Sequence, residues 1–287
     1  MHLQCNQRLD SLIQALQSKY KQLFEEYKLW PKIASEVPTE SLAVTHSLEV
    51  LLYRASKMFD EWKKANKEIF DLWKETKASS TGGSFGLLTD SMHFRYLQYE
   101  LWDFVVRAKT ALDFTSKILH PLFKGDIPDS ISEALTKNIN TDCPFYIELR
   151  NKFANFDDYN VITFTIDFRV FLIHKGVFIF VPLIDVCDQE HFELNKHFDH
   201  TNSTAIPPRL VILGDKLEET GLPIHLPEGI FEKPLHHNTK VREFRYKRPL
   251  EKYVSETLST VLDLYDKALK LATNSQPKSF YWRRKKR

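Results

Sequence analysis

Apolar residues recur at three- and four-residue steps over three long stretches and mark each as an amphipathic helix. The first, residues 8–29, carries Leu9, Leu12, Ile13, Leu16, Tyr20, Phe24 and Tyr27. Trp30-Pro31 ends it, because proline disfavours helical geometry in the residue before it. The second opens after Pro38 and sets Leu48, Leu51, Leu52, Ala55, Met58, Phe59, Trp62, Ile69, Phe70 and Trp73 under a polar side dense in lysine and glutamate. The third is the most regular: Thr89-Asp90-Ser91 supplies N-cap residues, and Leu97, Leu101, Phe104, Val105, Ala108 and Leu112 follow to an end near Leu119. Pro121 and Gly125 close it.

Shorter signals fill the rest. Ser130-x-x-Glu133 is a capping box for a helix over 130–139. Residues 144–155 hold Phe145, Leu149 and Phe153 roughly in phase. Val177–Val181 reads as a strand that Pro182 terminates, 209–213 (RLVIL) as a second, and Leu222–Leu226 as a short third. Pro249 starts a final helix, which runs from Tyr253 to about Ala272. Residues 78–86 (ASSTGGSFG) read as a linker; no Lys-Ser/Thr follows the glycines, so they do not make a phosphate loop.

The expected fold is mainly α: a helical bundle with a small β insertion and a C-terminal helix. Its parts are an N-terminal helical hairpin (1–80), a helical core (87–176), a β-containing insertion (177–245), a helix packing back on the core (246–275) and a basic tail (276–287).

Residues 159–174 resist classification by periodicity. As a strand, VITFTIDF has suitable β-branched composition, but Arg169 and His174 then fall on opposite faces. As a helix, the five-residue step sets them about 140° apart at 100° per residue, and Gly176 offers a C-cap where the last turn loosens. Only the helix lets the two side chains share a site, so a helix to His174 is the reading taken.

Composition narrows the class. The 287 residues are 43% apolar and 27% charged, ordinary for a globular chain, and 8 glycines against 21 phenylalanines favour helices over a turn-rich β fold. A net charge of +2 identifies no acidic partner, although the tail Tyr281-Trp282-Arg283-Arg284-Lys285-Lys286-Arg287 is strongly basic. Cys5, Cys143 and Cys187 are scattered and odd in number, which suits a reducing, cytoplasmic setting. With no long apolar run, no membrane partner is expected.

Asp167-Phe168-Arg169-Val170-Phe171-Leu172-Ile173-His174-Lys175-Gly176 resembles the Arg-x4–6-His signature near the end of the last core helix of the HEPN superfamily, and Thr110–Leu119 (TALDFTSKIL) resembles an early core helix of that group. The resemblance covers about residues 89–176. It implies a helical bundle, often dimeric, and an RNA-directed protein: a metal-independent endoribonuclease of a toxin or defence system, with a cognate protein partner. Arg169 would clamp a phosphate through its planar guanidinium, and His174 would serve as general acid/base across a dimer seam. RNA carries its own nucleophile in the 2′-hydroxyl, so no cofactor or metal is required. Val170 departs from the family pattern, in which a polar residue commonly follows the arginine. Arg150-Asn151 has that polar residue, but Asn155 stands where the histidine would be. Arg150, Asn151, Lys175, Arg283, Arg284 and Lys285 are the expected RNA contacts.

Other readings compete. Arg169 could instead pair with Asp167 or Asp113 and fix packing, while His174 caps carbonyls; the chain would then be a non-catalytic interaction or dimerisation protein. Asp185, Cys187, His191, His197, Asp199 and His200 have atom types for zinc, the basis of a metal-dependent hydrolase reading, but their spacing fits a histidine-rich loop better. His236-His237 reads as loop, and Glu100 with Asp103 as a solvated helix face.

Overall fold

A computed structural model describes residues 2–26, 38–79, 84–87, 91–119, 128–136, 143–153, 160–175, 183–190, 192, 209–222, 224–231 and 241–274. Eight helices lie among them: α1 (His2–Glu26), α2 (Pro38–Ser79), α3 (Met92–Leu119), α4 (Ile131–Thr136), α5 (Pro144–Phe153), α6 (Val161–Lys175), α7 (Gly214–Thr220) and α8 (Leu250–Asn274). The strands are β1 (Ser84–Leu87), β2 (Leu183–Cys187), β3 (Arg209–Leu213), β4 (His225–Phe231) and β5 (Val241–Pro249). The architecture is mainly helical, as the periodicity predicts.

The core is assembled from the stripes read in the sequence. On α2, Leu51, Ala55, Met58, Phe59, Trp62 and Ile69 are buried, and on α3 Leu97, Leu101, Phe104, Val105 and Ala108 face them. These two long helices make the most extensive contact of the fold. Ser91 caps α3 as expected: its Oγ accepts from the Phe94 N–H at 3.4 Å and donates to Glu68 on α2. Half of the capping box of α4 forms, with Glu133 N–H on Ser130 Oγ at 3.2 Å, while the Glu133 carboxylate reaches back one residue further and accepts from the Asp129 N–H at 3.1 Å. Ile13 and Leu16 of α1 complete this side. Lys19 pairs with Asp263 on α8 at 2.5 Å, and Lys63 on α2 with Asp10.

Helix α6 runs through the centre. Every residue from Val161 to Phe168 is buried, Thr163, Thr165 and Asp167 included. A helix that is buried all round needs no polar face, which is why its periodicity is ambiguous. Its threonines bond to their own backbone: Thr163 Oγ1 to Asn160 O at 3.0 Å and Thr165 Oγ1 to Val161 O at 2.7 Å. Asn160 is the N-cap, its Oδ1 accepting from Ile162 N–H and Thr163 N–H at 3.0 Å each.

The β structure is small. β1 pairs antiparallel with β2, and β2 pairs parallel with β3. β4 and β5 form a separate antiparallel ribbon. Two differences from the sequence reading stand out. Ser84–Leu87, which overlaps the end of the supposed linker, is a strand that joins the sheet of β2 and β3. The third strand starts at His225, later than Leu222, because Leu222 is held by α2: Asn66 Oδ1 accepts its N–H at 2.9 Å, and Trp62 Nε1 donates to its carbonyl at 3.2 Å. Gly221 allows that turn, with φ of 70° in the left-handed region. The strand expected at Val177–Val181 lies outside the described residues, as does Gly176; β2 begins after them.

Candidate functional site

α6 meets the surface at both ends, and the residues singled out in the sequence divide between them. Arg169 is half-buried, the first residue after the fully buried stretch. Among the described residues it stands in no ion pair. Asp113, one expected partner, is engaged by Lys109 at 2.5 Å and by the Ile131 N–H at 3.0 Å. Asp167 is buried two residues earlier on the helix, and a two-residue step turns it about 200° from Arg169. Val170 is half-buried and Ile173 is 42% exposed, so this segment forms the outward edge of α6. His174 and Lys175 belong to the same helix, but their side chains lie outside the described residues.

The other end of α6 opens on a cleft of about 580 Å³. Lys152 and Phe153 of α5, Asn160 and Val161 of α6, Arg248 at the end of β5, and Lys252, Glu256 and Thr260 of α8 line it. Asn160 ties two of these elements together: it caps α6, and its Nδ2 donates to Phe153 O at 3.2 Å. Arg248 is anchored rather than waving in solvent. Its guanidinium lies over the Phe164 ring, 4.6 Å from the centroid, and Nη1 donates to Glu256 Oε2 at 3.4 Å. Lys252 Nζ is 3.8 Å from the other oxygen of the same carboxylate. Lys152 and Lys252 are exposed. Three cations therefore face one carboxylate at the positive end of a fifteen-residue helix.

A second, smaller cavity of about 170 Å³ continues between α5 and α8 past Lys152 and Thr260. Its charges are internally matched: Lys267 bonds Glu148, Lys19 holds Asp263, and Lys270 holds Asp266 at 2.7 Å. Lys152 lines both cavities, so the two share one wall.

Behind the cleft sits Tyr253, fully buried on α8. Burial pushes its phenol up to about 12, against the pull of a 3.2 Å contact with Thr165 Oγ1 and of the nearby Arg248 charge. The phenol is thus neutral at ordinary pH.

The remaining predicted residues are scattered. Arg150 is half-buried and Asn151 exposed in the last turn of α5, beside Lys152. The rise of α6, about 1.5 Å per residue, separates the cleft at Val161 from Arg169 by about 12 Å along the axis, so the Arg150 group and the Arg169 group do not share one pocket. Arg283, Arg284 and Lys285 lie outside the described residues. Of the zinc-type cluster, Asp185 and Cys187 are in β2, and His191, His197, Asp199 and His200 lie outside the described residues. Cys187 is a buried thiol whose Sγ is 3.7 Å from Ile212 O. Among the described residues no group of histidine, cysteine and carboxylate side chains could hold a metal ion. None of the described helices is long and apolar enough to cross a membrane.

Lys152, Arg248 and Lys252 were not singled out by the sequence. The available signals were Lys152 beside Arg150-Asn151, and the run Lys247-Arg248-Pro249-Leu250-Glu251-Lys252, which places basic residues on both sides of a helix start. No family model, curated protein or solved structure matches the chain.

Proposed function

We propose that this protein is a HEPN-like, RNA-directed protein that grips the phosphate backbone of RNA in the cleft between α5, α6 and α8. The observation that carries the reading is the charge pattern of that cleft: Lys152, Arg248 and Lys252 against Glu256, at the N-terminal end of α6. Lysines give exposed, mobile point charges to successive phosphates, and the anchored Arg248 gives a fixed planar donor set. Arg169 extends the same reading. A half-buried guanidinium on the outward edge of α6, with no carboxylate on it among the described residues, suits a phosphate that arrives with the ligand. His174, five residues on, is the proton-transfer partner that the resemblance implies, and the pair would act on RNA through its own 2′-hydroxyl without a metal.

Binding and cleavage are tested separately. Affinity for a labelled single-stranded RNA, measured over a salt series, should fall as salt rises. Lys152→Glu with Lys252→Glu should weaken binding and flatten the slope by about 0.7 for each phosphate no longer neutralised. Absence of RNA binding at low salt refutes the reading. Incubation with RNA in EDTA then compares wild type with His174→Ala and Arg169→Ala. Cleavage that both substitutions abolish supports a ribonuclease. Binding without cleavage leaves an RNA-binding protein and removes the catalytic step.

A further inference from the structure

Glu256 marks where an anion sits in the cleft. One of its carboxylate oxygens is 3.4 Å from Arg248 Nη1, and the other is 3.8 Å from Lys252 Nζ. Two cations from different elements, the end of β5 and the first turn of α8, therefore converge on a single anionic group. Both distances exceed the roughly 2.7–2.9 Å of a charge-assisted hydrogen bond, and the Glu256 side chain is 39% exposed. The carboxylate holds the place loosely. Lys152 enters the same cleft from α5 and stands in no ion pair among the described residues; its Nζ lies 5.1 Å from the Phe153 ring centroid.

Three cations against one carboxylate leave the cleft a net charge of +2. Arg54 of α2 shows the opposite balance: one guanidinium stands between two carboxylates, 3.0 Å from Glu100 and 2.5 Å from Asp103, and nothing is left over for a ligand. The carboxylates past Thr260 do not draw on the excess, because Lys267, Lys19 and Lys270 hold Glu148, Asp263 and Asp266. Asn160 already takes the N–H groups of Ile162 and Thr163. Recognition of an anion thus falls to the three cationic side chains, with the dipole of α6 behind them.

We infer that the cleft takes a phosphate monoester at the end of an RNA chain, an inference that rests on the RNA-directed reading above and narrows it. A monoester carries about 1.5 to 2 negative charges near neutral pH and three terminal oxygens. That matches the net charge of the cleft and the convergence of its cations on one group. A backbone diester brings a single charge and a sugar on either side, whereas walls from α5, α6 and α8 leave room for a chain end. The volume of about 580 Å³ lies within the roughly 300–1,000 Å³ of small-molecule sites and suits a terminal nucleotide. Glu256 is then the internal counter-ion. It offsets the repulsion between Arg248 and Lys252 in the empty cleft, and its charge opposes every anion that enters.

Fluorescence anisotropy with the full chain tests it, on one RNA sequence ending in a 5′-phosphate, in a 3′-phosphate, or in hydroxyls at both ends. A phosphorylated end should bind about tenfold more tightly or better, the worth of one charge-assisted hydrogen bond, and the two phosphorylated arms tell which end is read. Lys252→Gln, at an exposed position, and Arg248→Lys, which keeps the charge but not the planar fork, should each cut that preference. Glu256→Gln removes the opposing charge and should tighten the phosphorylated RNA more than the hydroxyl-ended one. No histidine lines the cleft, so the preference should shrink as pH falls below about 6, where the monoester takes up its second proton. Equal affinity for all three RNAs overturns the inference and leaves the RNA reading standing; no binding of any RNA at low salt removes both. Glu256→Gln that fails to tighten the phosphorylated RNA also overturns it. A free nucleoside monophosphate or a phosphoserine peptide that binds as tightly as the phosphorylated RNA would assign the cleft to that ligand and overturn it equally.

Discussion

Tyr253 is the point at which three helices meet, and its two simplest substitutions should separate sharply. Its ring stands edge-on to Phe104 of α3 at 6.0 Å, and to Phe164 and Phe168 of α6 at 5.0 and 6.3 Å. Tyr253→Ala deletes a fully buried ring and its packing on all three neighbours, a loss of about 3–5 kcal/mol for truncating a buried aromatic. Tyr253→Phe keeps the ring. Thr165 Oγ1, one neighbour of the deleted hydroxyl, already bonds to Val161 O at 2.7 Å and is not stranded; the buried Thr257 hydroxyl is the other neighbour. The expected loss is then about 1 kcal/mol or less, the net worth of one hydrogen bond. Urea unfolding followed by far-UV circular dichroism measures both. An alkaline series adds an independent reading. The phenol's pKa is raised in the fold from 10.0 to about 12, so its contribution is complete below 10 and lost as pH rises through 12. Tyr253→Phe should flatten that limb. If Tyr253→Phe costs as much as Tyr253→Ala, the hydroxyl and not the ring holds the helices, and the packing account fails.

Three further substitutions probe other joints. A Cβ on Gly214, at the start of α7, would lie closer than 3.0 Å to the buried Trp73 ring, so Gly214→Ala should cost about 1–3 kcal/mol as an overpacked site; a neutral thermal melt would show that the ring yields. Burial favours the neutral form of Glu61, but bonds from Lys64 at 2.5 Å and His93 at 2.8 Å outweigh it and hold the carboxyl below its ordinary 4.5. That contribution is present above pH 4.5 and lost as pH falls below it, so Glu61→Gln should lose less stability than wild type as the pH is lowered below 4.5. A parallel decline in both would refute it. Asn160→Ala removes the cap of α6 and should cost about 1 kcal/mol, whereas Asn160→Asp, which keeps the acceptor, should recover most of it; equal losses would place the effect in the bond to Phe153 O instead.

The helices are legible in the sequence because their burial is one-sided. α2 and α3 show a stripe that any helix must show when one face is wet, and Ser91 and Ser130 mark starts by a chemistry that is local in sequence. α6 is legible only indirectly. Buried on every side from Val161 to Phe168, it has no periodicity to read, and its composition suits a strand equally well; the requirement that Arg169 and His174 share a site selects the helix that the structure has. β1 is hidden for a different reason. Gly82, Gly83 and Ser84 look like a linker, and Ser84–Leu87 becomes a strand only because β2, about a hundred residues later, supplies its hydrogen bonds. Glu100 and Asp103 read in sequence as solvated carboxylates, but Arg54, far away along the chain, holds both.

The candidate site shows the same division between local and long-range information. Arg169 stands out in sequence because a charge inside an apolar run is conspicuous. The cleft does not, because Lys152, Arg248 and Lys252 are each ordinary basic residues near helix ends, and a fold is needed to put them on one wall. What joins the two groups is α6 itself. Its buried stretch leaves polar surface only at its ends, so any ligand that engages this helix must do so at the N-terminal cleft, at the Arg169 edge, or along both. A polyanion long enough to span about 12 Å, eight residues of helical rise, can use both; a single phosphate cannot. Length dependence of binding is therefore informative. If a short RNA that fills the cleft alone binds as tightly as a longer one, and Arg169→Ala weakens neither, Arg169 takes no part in RNA binding and its role is confined to packing on α6.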